Sequence, residues 1–268
     1  MQTSPLQTHI EHLQPRNSVP HPLPFNVGPE GPLLTWDTQG LPHSVIFDDK
    51  YFCKENGFEE TIHVSCKGNA LPKRFAKLDP NGKGTFTIIE TGFGTGLSFC
   101  AAWKVWQKCA PKSWDLHFVS IELYPLPSED IARALSLWPS LSDYPKLLLA
   151  QYKPQKEGMI DLYFKDSRVR LTLVFDDVVV ALKNIHRNRL TQGADAWFLN
   201  GFAPAKNPKM WSDEVFEHMA PLSKKGTTLS TFTVAGFVRR GLEAQGFEVA
   251  KIKGYGEKKH ILTGIFKN

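Results

Sequence analysis

Cysteine is scarce in this 268-residue sequence, and the four that occur, Cys53, Cys66, Cys100 and Cys109, form no C-x-x-C pair. None has a histidine at zinc-finger spacing, so no metal site is expected, and the thiols read as reduced ones in a reducing compartment. No apolar run reaches membrane-spanning length, and no charged start with an apolar stretch behind it marks a secretory signal. A cytoplasmic protein with no membrane contact is therefore expected. Charge of one sign is not in large excess: the net charge is +5 and the pI about 8.9. That is compatible with a polyanionic partner but far from a histone-like composition. There is no Gly-Lys-Ser/Thr, no G-x-G-x-x-G and no internal repeat, which excludes a Walker loop and the dinucleotide fingerprint. A 41% apolar content is ordinary for a globular core, enough for one α/β domain or two small ones.

The most organised stretch runs from Thr85 to Trp106. An apolar, β-branched run, Phe86 to Ile89, ends in Glu90, and Gly92, Gly94 and Gly96 follow at every second position. Leu97, Cys100, Ala101, Trp103 and Val105 then repeat at helical spacing. Strand, glycine turn and helix start let backbone approach a nucleotide-type ligand closely and present free N–H groups to it. The E-x-G-x-G-x-G form resembles the first motif of class I S-adenosylmethionine (SAM) methyltransferases. On that reading Glu90, Gly92, Gly94, Thr95 and Gly96 bind SAM.

The rest of the chain fits one α/β unit. Residues 1–32 carry Pro15, Pro20, Pro22, Pro24, Pro29 and Pro32 and are expected to form a flexible leader; a single arginine, Arg16, argues against a transit peptide. From about 33 to 80, β-prone pieces (Leu33 to Trp36, His43 to Phe47, Thr61 to Val64) predict a β-rich lid. It carries an acidic, aromatic patch of Asp48, Asp49, Tyr51, Glu59 and Glu60, which would also suit a solvated hairpin. A second strand, Leu116 to Ile121, ends in Glu122, 26 positions after Gly96, where a carboxylate can accept both ribose hydroxyls. Helix is expected over 128–150, with Trp138 and Leu147 to Leu149 in the core. A third strand, Arg168 to Phe175, ends in Asp176 and Asp177, placed either for an adenine amino group or, for Asp177, to cap the next helix. A fourth, Ala194 to Leu199, ends in Asn200, so the segment to Lys206 is expected to face the reacting methyl. Two further helices and three strands complete a doubly wound sheet closed by an antiparallel pair. The fold class is thus α/β, and the resemblance of the glycine turn implies a Rossmann-like class I SAM methyltransferase with a seven-stranded mixed sheet.

The string DAWFLNGFAPAKNPKMW, residues 195–211, resembles the signature of the tRNA 5-methylaminomethyl-2-thiouridine methyltransferase family, the methyltransferase half of the bifunctional MnmC proteins. FDDKYFCKENGFEET (47–61), ETGFGTGLSF (90–99) and TFTVAGFVRRGL (231–242) match the same family. The resemblance runs from about Leu33 onward and implies methyl transfer from SAM to the primary amine of 5-aminomethyl-(2-thio)uridine at the wobble position. It implies tRNA, through its anticodon region, as partner, and allows a separate oxidoreductase partner; the flavin domain of bifunctional members is not expected within these residues. By position it assigns the ribose to Glu122, the adenine side to Asp177, and the lid to Asp48, Asp49, Tyr51 and the run Glu59, Glu60 and Thr61. Three departures stand out: Asn200 where the family has aspartate, a turn at 254–260 with two fewer arginines, and Val234 for a serine.

An amine must present a free lone pair to accept a methyl group, and a carboxylate nearby can take its proton. Asn200 cannot, but its carbonyl can orient the amine. Phe202 and Lys206 complete the expected acceptor side. Arg239, Arg240, Lys258 and Lys259 are candidates for phosphate contacts, with Tyr255 and Phe237 for stacking. Two alternatives stay open: a SAM- and tRNA-binding module with impaired catalysis, and a methyltransferase of a different, smaller amine.

Overall fold

The structure, a computed structural model, describes residues 34–268 apart from 54–56, 142, 189–190 and 257. The expected leader at 1–32 lies outside the described residues. Eleven strands and eight α-helices are described, in two sheets. The small sheet pairs β1 (Leu34–Trp36), β2 (Pro42–Ser44) and β3 (Asp49–Lys50) in sequence order, all antiparallel. The large sheet contains β4 (Gly84–Thr91), β5 (Trp114–Ile121), β6 (Gly158–Phe164), β7 (Val169–Phe175), β8 (Ala194–Leu199), β9 (Ser223–Thr231), β10 (Phe247–Lys253) and β11 (His260–Phe266). Its order is β10-β11-β9-β8-β4-β5-β7-β6. The inner strands from β9 to β7 are parallel, while β6 and the β10–β11 pair run antiparallel to their neighbours.

Parallel strands covered on both faces read as unbroken apolar runs, and the side chains divide by parity. Ile88, Phe118 and Phe198 enter one core, together with α3 (Leu97–Cys109). Ile89, Val119, Trp197 and Leu199 enter the other, beneath α6 (Val178–Arg187), α7 (Asp213–Met219) and α8 (Gly236–Ala244). The chain first runs β4 to β5, then returns to the far side of β4 with β8. That reversal opens a crevice at the carboxyl ends of β4 and β8.

Four expectations are corrected. The sheet has eight strands: β6 is an edge strand whose exposed Met159 and Tyr163 alternate with buried Leu162 and Phe164, so it lacks the unbroken apolar run of the central parallel strands. Thr61 to Val64 is helical. The segment runs as α1 (Gly57–Thr61), a π-helical turn Ile62–Lys67, and α2 (Leu71–Ala76), so the region is β-rich only as far as residue 50. Its apolar residues Phe58, Leu71 and Phe75 are in the first core, so tertiary burial overrides the β-branched character of Ile62 and Val64. The helix expected over 128–150 is divided into α4 (Ser128–Ser136) and α5 (Asp143–Gln151), because Pro139 cannot continue the first. Of the three leucines at 147–149, Leu148 is buried and Leu147 is exposed.

Buried polar bonds tie this helical segment to the far strands. Asn69 is fully buried; its amide donates to Ser65 O and Trp197 O, and its carbonyl accepts from Thr228 Oγ1. Arg74 donates to Asp195 O at 2.9 Å and to Thr228 Oγ1 at 2.7 Å, and Ser230 Oγ donates to Val64 O at 2.6 Å. The segment is thereby fixed over β8 and β9, beside the crevice.

Candidate active site

A cavity of about 1180 Å³ occupies the crevice. That exceeds the roughly 300–1,000 Å³ of a pocket for one drug-sized ligand. The sheet order gives it a direction. Asp176 and Asp177 follow β7, Glu122 follows β5, Gly92 and Gly94 follow β4, Asn200 follows β8 and Phe232 follows β9, and all of them line it.

The glycine turn is a cradle that side chains would fill. Gly92, Gly94 and Gly96 have φ of 85°, 53° and 75°, a region costly for residues with a Cβ. A Cβ on Gly92 would sit 3.3 Å from Gly201 Cα, and one on Gly94 would sit 3.2 Å from the Tyr51 ring. Thr95 is buried within the turn. Glu122 is partly buried; one carboxylate oxygen accepts from Gly94 N and the other from Tyr124 N, both at 2.8 Å. Burial raises its pKa, and the N–H donors oppose that rise. The strand-end carboxylate is thus anchored to the turn, with its flank open to the cavity. Asp177 caps α6 by accepting from Val179 N at 3.0 Å, while Asp176 accepts from Asp177 N; both still line the cavity. Capping and ligand contact therefore coincide at Asp177.

Glu90 is fully buried, and its pKa is pushed up to about 8 by that burial, against hydrogen bonds from Ser120, Asn200 and Ser98. Ser120 Oγ donates to one oxygen at 2.6 Å and Asn200 Nδ2 to the other at 2.9 Å. The same Asn200 amide donates to Ser98 Oγ at 3.0 Å. The orientation of Asn200 is consequently set by Glu90 and Ser98, leaving its carbonyl free of these bonds.

The β-hairpin formed by β2 and β3 covers the site. Asp49 accepts from Ala203 N at 2.9 Å, Lys206 pairs with Asp48, and Phe47 stacks on Phe202 with centroids 4.7 Å apart. Tyr51 meets Phe202 edge-on at 5.0 Å, and burial, with Glu122 and Asp130 nearby, raises its phenol pKa so that it stays protonated. Asp48 holds a left-handed φ of 48°, a conformation aspartate tolerates better than most residues.

Other expected residues are placed elsewhere. Lys206 is an exposed partner of Asp48 and does not line the cavity. Arg239 and Arg240 are exposed on α8, Arg239 beside Glu243, and Lys259 is exposed in the β10–β11 turn. Lys258, expected as a phosphate contact, is half exposed, lines the cavity and pairs with Glu60. Sequence reasoning missed Ser98 and Ser120, which hold Glu90, and Tyr124 and Phe232. The last two stand just beyond strand ends, a position that could have marked them.

The fold and this glycine-turn cavity define the class I SAM-dependent methyltransferase architecture. Residues 139–267 match a family model described as S-adenosyl-L-methionine-dependent methyltransferase. A protein of Methylobacillus flagellatus named tRNA 5-methylaminomethyl-2-thiouridine biosynthesis bifunctional protein MnmC is 49% identical over 233 residues, 87% of this chain and 35% of that protein. Its namesake in Ectopseudomonas mendocina is 48% identical over 234 residues, 87% and 35% of the two chains. The crystal structure of MnmC2 from Aquifex aeolicus superposes with a TM-score of 0.64 at 18% identity, covering 89% of this chain and 71% of that one, which shows the shared fold. Along 87% of its length the chain is similar to these MnmC proteins, and it spans about a third of the length of the curated relatives it matches. No helix among the described residues is long and apolar enough to cross a membrane, and no group of metal-ligating residues is found among them.

Proposed function

We propose that the protein methylates the aminomethyl group of 5-aminomethyl-(2-thio)uridine at the wobble position of tRNA, in the cytoplasm. The observation that carries this reading is the cavity that joins a glycine cradle and Glu122 at one end to Asn200 and Phe232 at the other. The names of the relatives, and a cavity larger than one cofactor needs, support the substrate. When bound, SAM supplies a methyl group on a sulfonium, which the amine lone pair takes in an in-line displacement. Gly92 and Gly94 admit the cofactor's backbone-hugging end, Glu122 accepts its ribose hydroxyls, and Asp176 and Asp177 face the adenine side. Asn200, aimed by Glu90 and Ser98, accepts an N–H of the amine and orients it; positioning of this kind can contribute several kcal/mol. The displaced proton leaves to water, because an amide cannot take it. Asp48, Asp49 and Tyr51 hold the hairpin over the site, with Phe202 and Lys206 as its counterpart. Arg239, Arg240 and Lys259 meet tRNA phosphates beside the anticodon. A separate flavin-dependent oxidoreductase is the partner that supplies the aminomethyl substrate.

Incubation with SAM and tRNA lacking the modification, followed by nucleoside mass spectrometry, tests the reading. One added methyl on the wobble nucleoside is expected. No gain on tRNA, with gain on free small amines, would favour a different acceptor. A second reading, impaired catalysis, draws on Asn200 itself. Asn200→Asp would set two carboxyl groups at hydrogen-bond distance, where they share one proton. We expect that variant to shift the pH–rate profile upward while turnover persists; appearance of turnover only in the variant would favour the impaired module.

A further inference from the structure

Near Asn200 the cavity lining brings a largely buried carboxylate, an aromatic ring and a half-exposed lysine together. Glu60 is on α1, which leads directly into the π-helical turn and α2 that Asn69, Arg74 and Ser230 tie to β8 and β9. Its side chain is 16% exposed, and its Oε1 is buried with no hydrogen bond of ordinary geometry among the described residues. Lys258 Nζ lies 2.7 Å from that oxygen and 5.0 Å from the centroid of the Phe232 ring. A carboxylate facing an aromatic ring is the pairing that selects primary ammonium groups.

Position decides which ammonium. Phe232 follows β9 and Asn200 follows β8, whereas the ribose and adenine acids follow β5 and β7. The seat is therefore on the acceptor side of Asn200, away from the nucleoside end of the cofactor. Asp49, another carboxylate lining the cavity, is engaged by Ala203 N, while Glu90 is buried behind the lining and bonded by Ser120 and Asn200. A primary alkylamine is a cation near neutral pH, so it must be recognised in that form before it is orientated for transfer.

We propose that Glu60 and Phe232 form the recognition seat for the acceptor's ammonium group, and that Lys258 occupies the seat until the acceptor displaces it. The proposal rests on the amine-methyltransferase reading above and deepens it. It makes Glu60 a specificity-determining residue: a neutral hydroxyl or ring nitrogen would gain little from the seat.

Two measurements test it separately from that reading. First, steady-state kinetics with aminomethyl-bearing tRNA: Glu60→Gln is expected to raise KM for tRNA by about tenfold or more, the loss of one charge-assisted bond, with SAM affinity within about twofold and partial recovery in Glu60→Asp. An unchanged KM would overturn the seat while leaving the reaction standing. Second, calorimetric titration with the nucleoside 5-aminomethyluridine, with S-adenosylhomocysteine present, needs no turnover. The Lys258→Gln protein is expected to bind it at least about fivefold more tightly than the Lys258→Gln, Glu60→Gln double variant. Equal binding by the two would overturn the seat even in an active enzyme. Inactivity of the unaltered protein on tRNA, with this difference intact, would instead count against the proposed reaction.

Discussion

The two ends of the cavity are built in different ways. Most of the cofactor end comes from consecutive pieces of one chain segment: strand, glycine turn, helix, strand, with Glu122 returning to bond the N–H of Gly94 and only Asp176 and Asp177 arriving from β7. The acceptor end is assembled from residues far apart in sequence, Glu60 on α1, Asn200 after β8, Phe232 after β9 and Lys258 in the last hairpin. A local turn can be rigid by itself. An assembled end is only as well placed as the buried bonds of Asn69, Arg74 and Ser230 that fix its parts. The first end therefore suits a ligand common to many enzymes, and the second carries what is particular to this one.

That contrast can be broken. The largest expected effect is at the cofactor end: Gly94→Val meets the Tyr51 ring and a positive φ together, and should weaken SAM binding at least about a hundredfold by calorimetry. Binding that survives would remove the need for close backbone approach. Next is Glu90, at the boundary between the ends. Its pKa is raised in the folded protein to about 8, so the folded state holds a proton that the unfolded state has released. Stability should fall as pH rises from the ordinary carboxylate range to about 8, and then level. Glu90→Gln should remove that slope, so that the gap in stability between the two proteins widens as pH rises toward 8 in denaturant titrations; parallel pH curves would refute this. Glu122→Gln should cost SAM affinity about tenfold, since a charged acceptor of the ribose hydroxyls becomes a neutral one. The smallest effect belongs to the hairpin latch. Asp48→Asn disturbs an exposed ion pair with Lys206 and should change kcat/KM by less than about twofold. A larger loss would make the latch part of the acceptor end.

Legibility in the sequence followed the same division. The glycine turn, the strand-end acids and the α/β alternation were readable because each depends on local spacing and on the apolar runs that buried parallel strands require. The helical character of Thr61 to Val64 was not, since β-branched residues suggested strand while burial against the first core chose helix. Lys258 is the exposed cation it read as, but its pairing was not readable, because nothing local reveals a carboxylate nearly two hundred positions earlier.

By itself, then, the sequence determined the strand–helix alternation of the parallel core, the turn that needs glycine, and the acids that follow β5 and β7. The tertiary structure alone decided that Glu60, Asn200, Phe232 and Lys258 share one chamber, and that Asn200 points its amide at Glu90. The physical reason is that periodicity and turn chemistry act over a few residues, whereas burying a charge requires a partner that only the folded chain brings within reach.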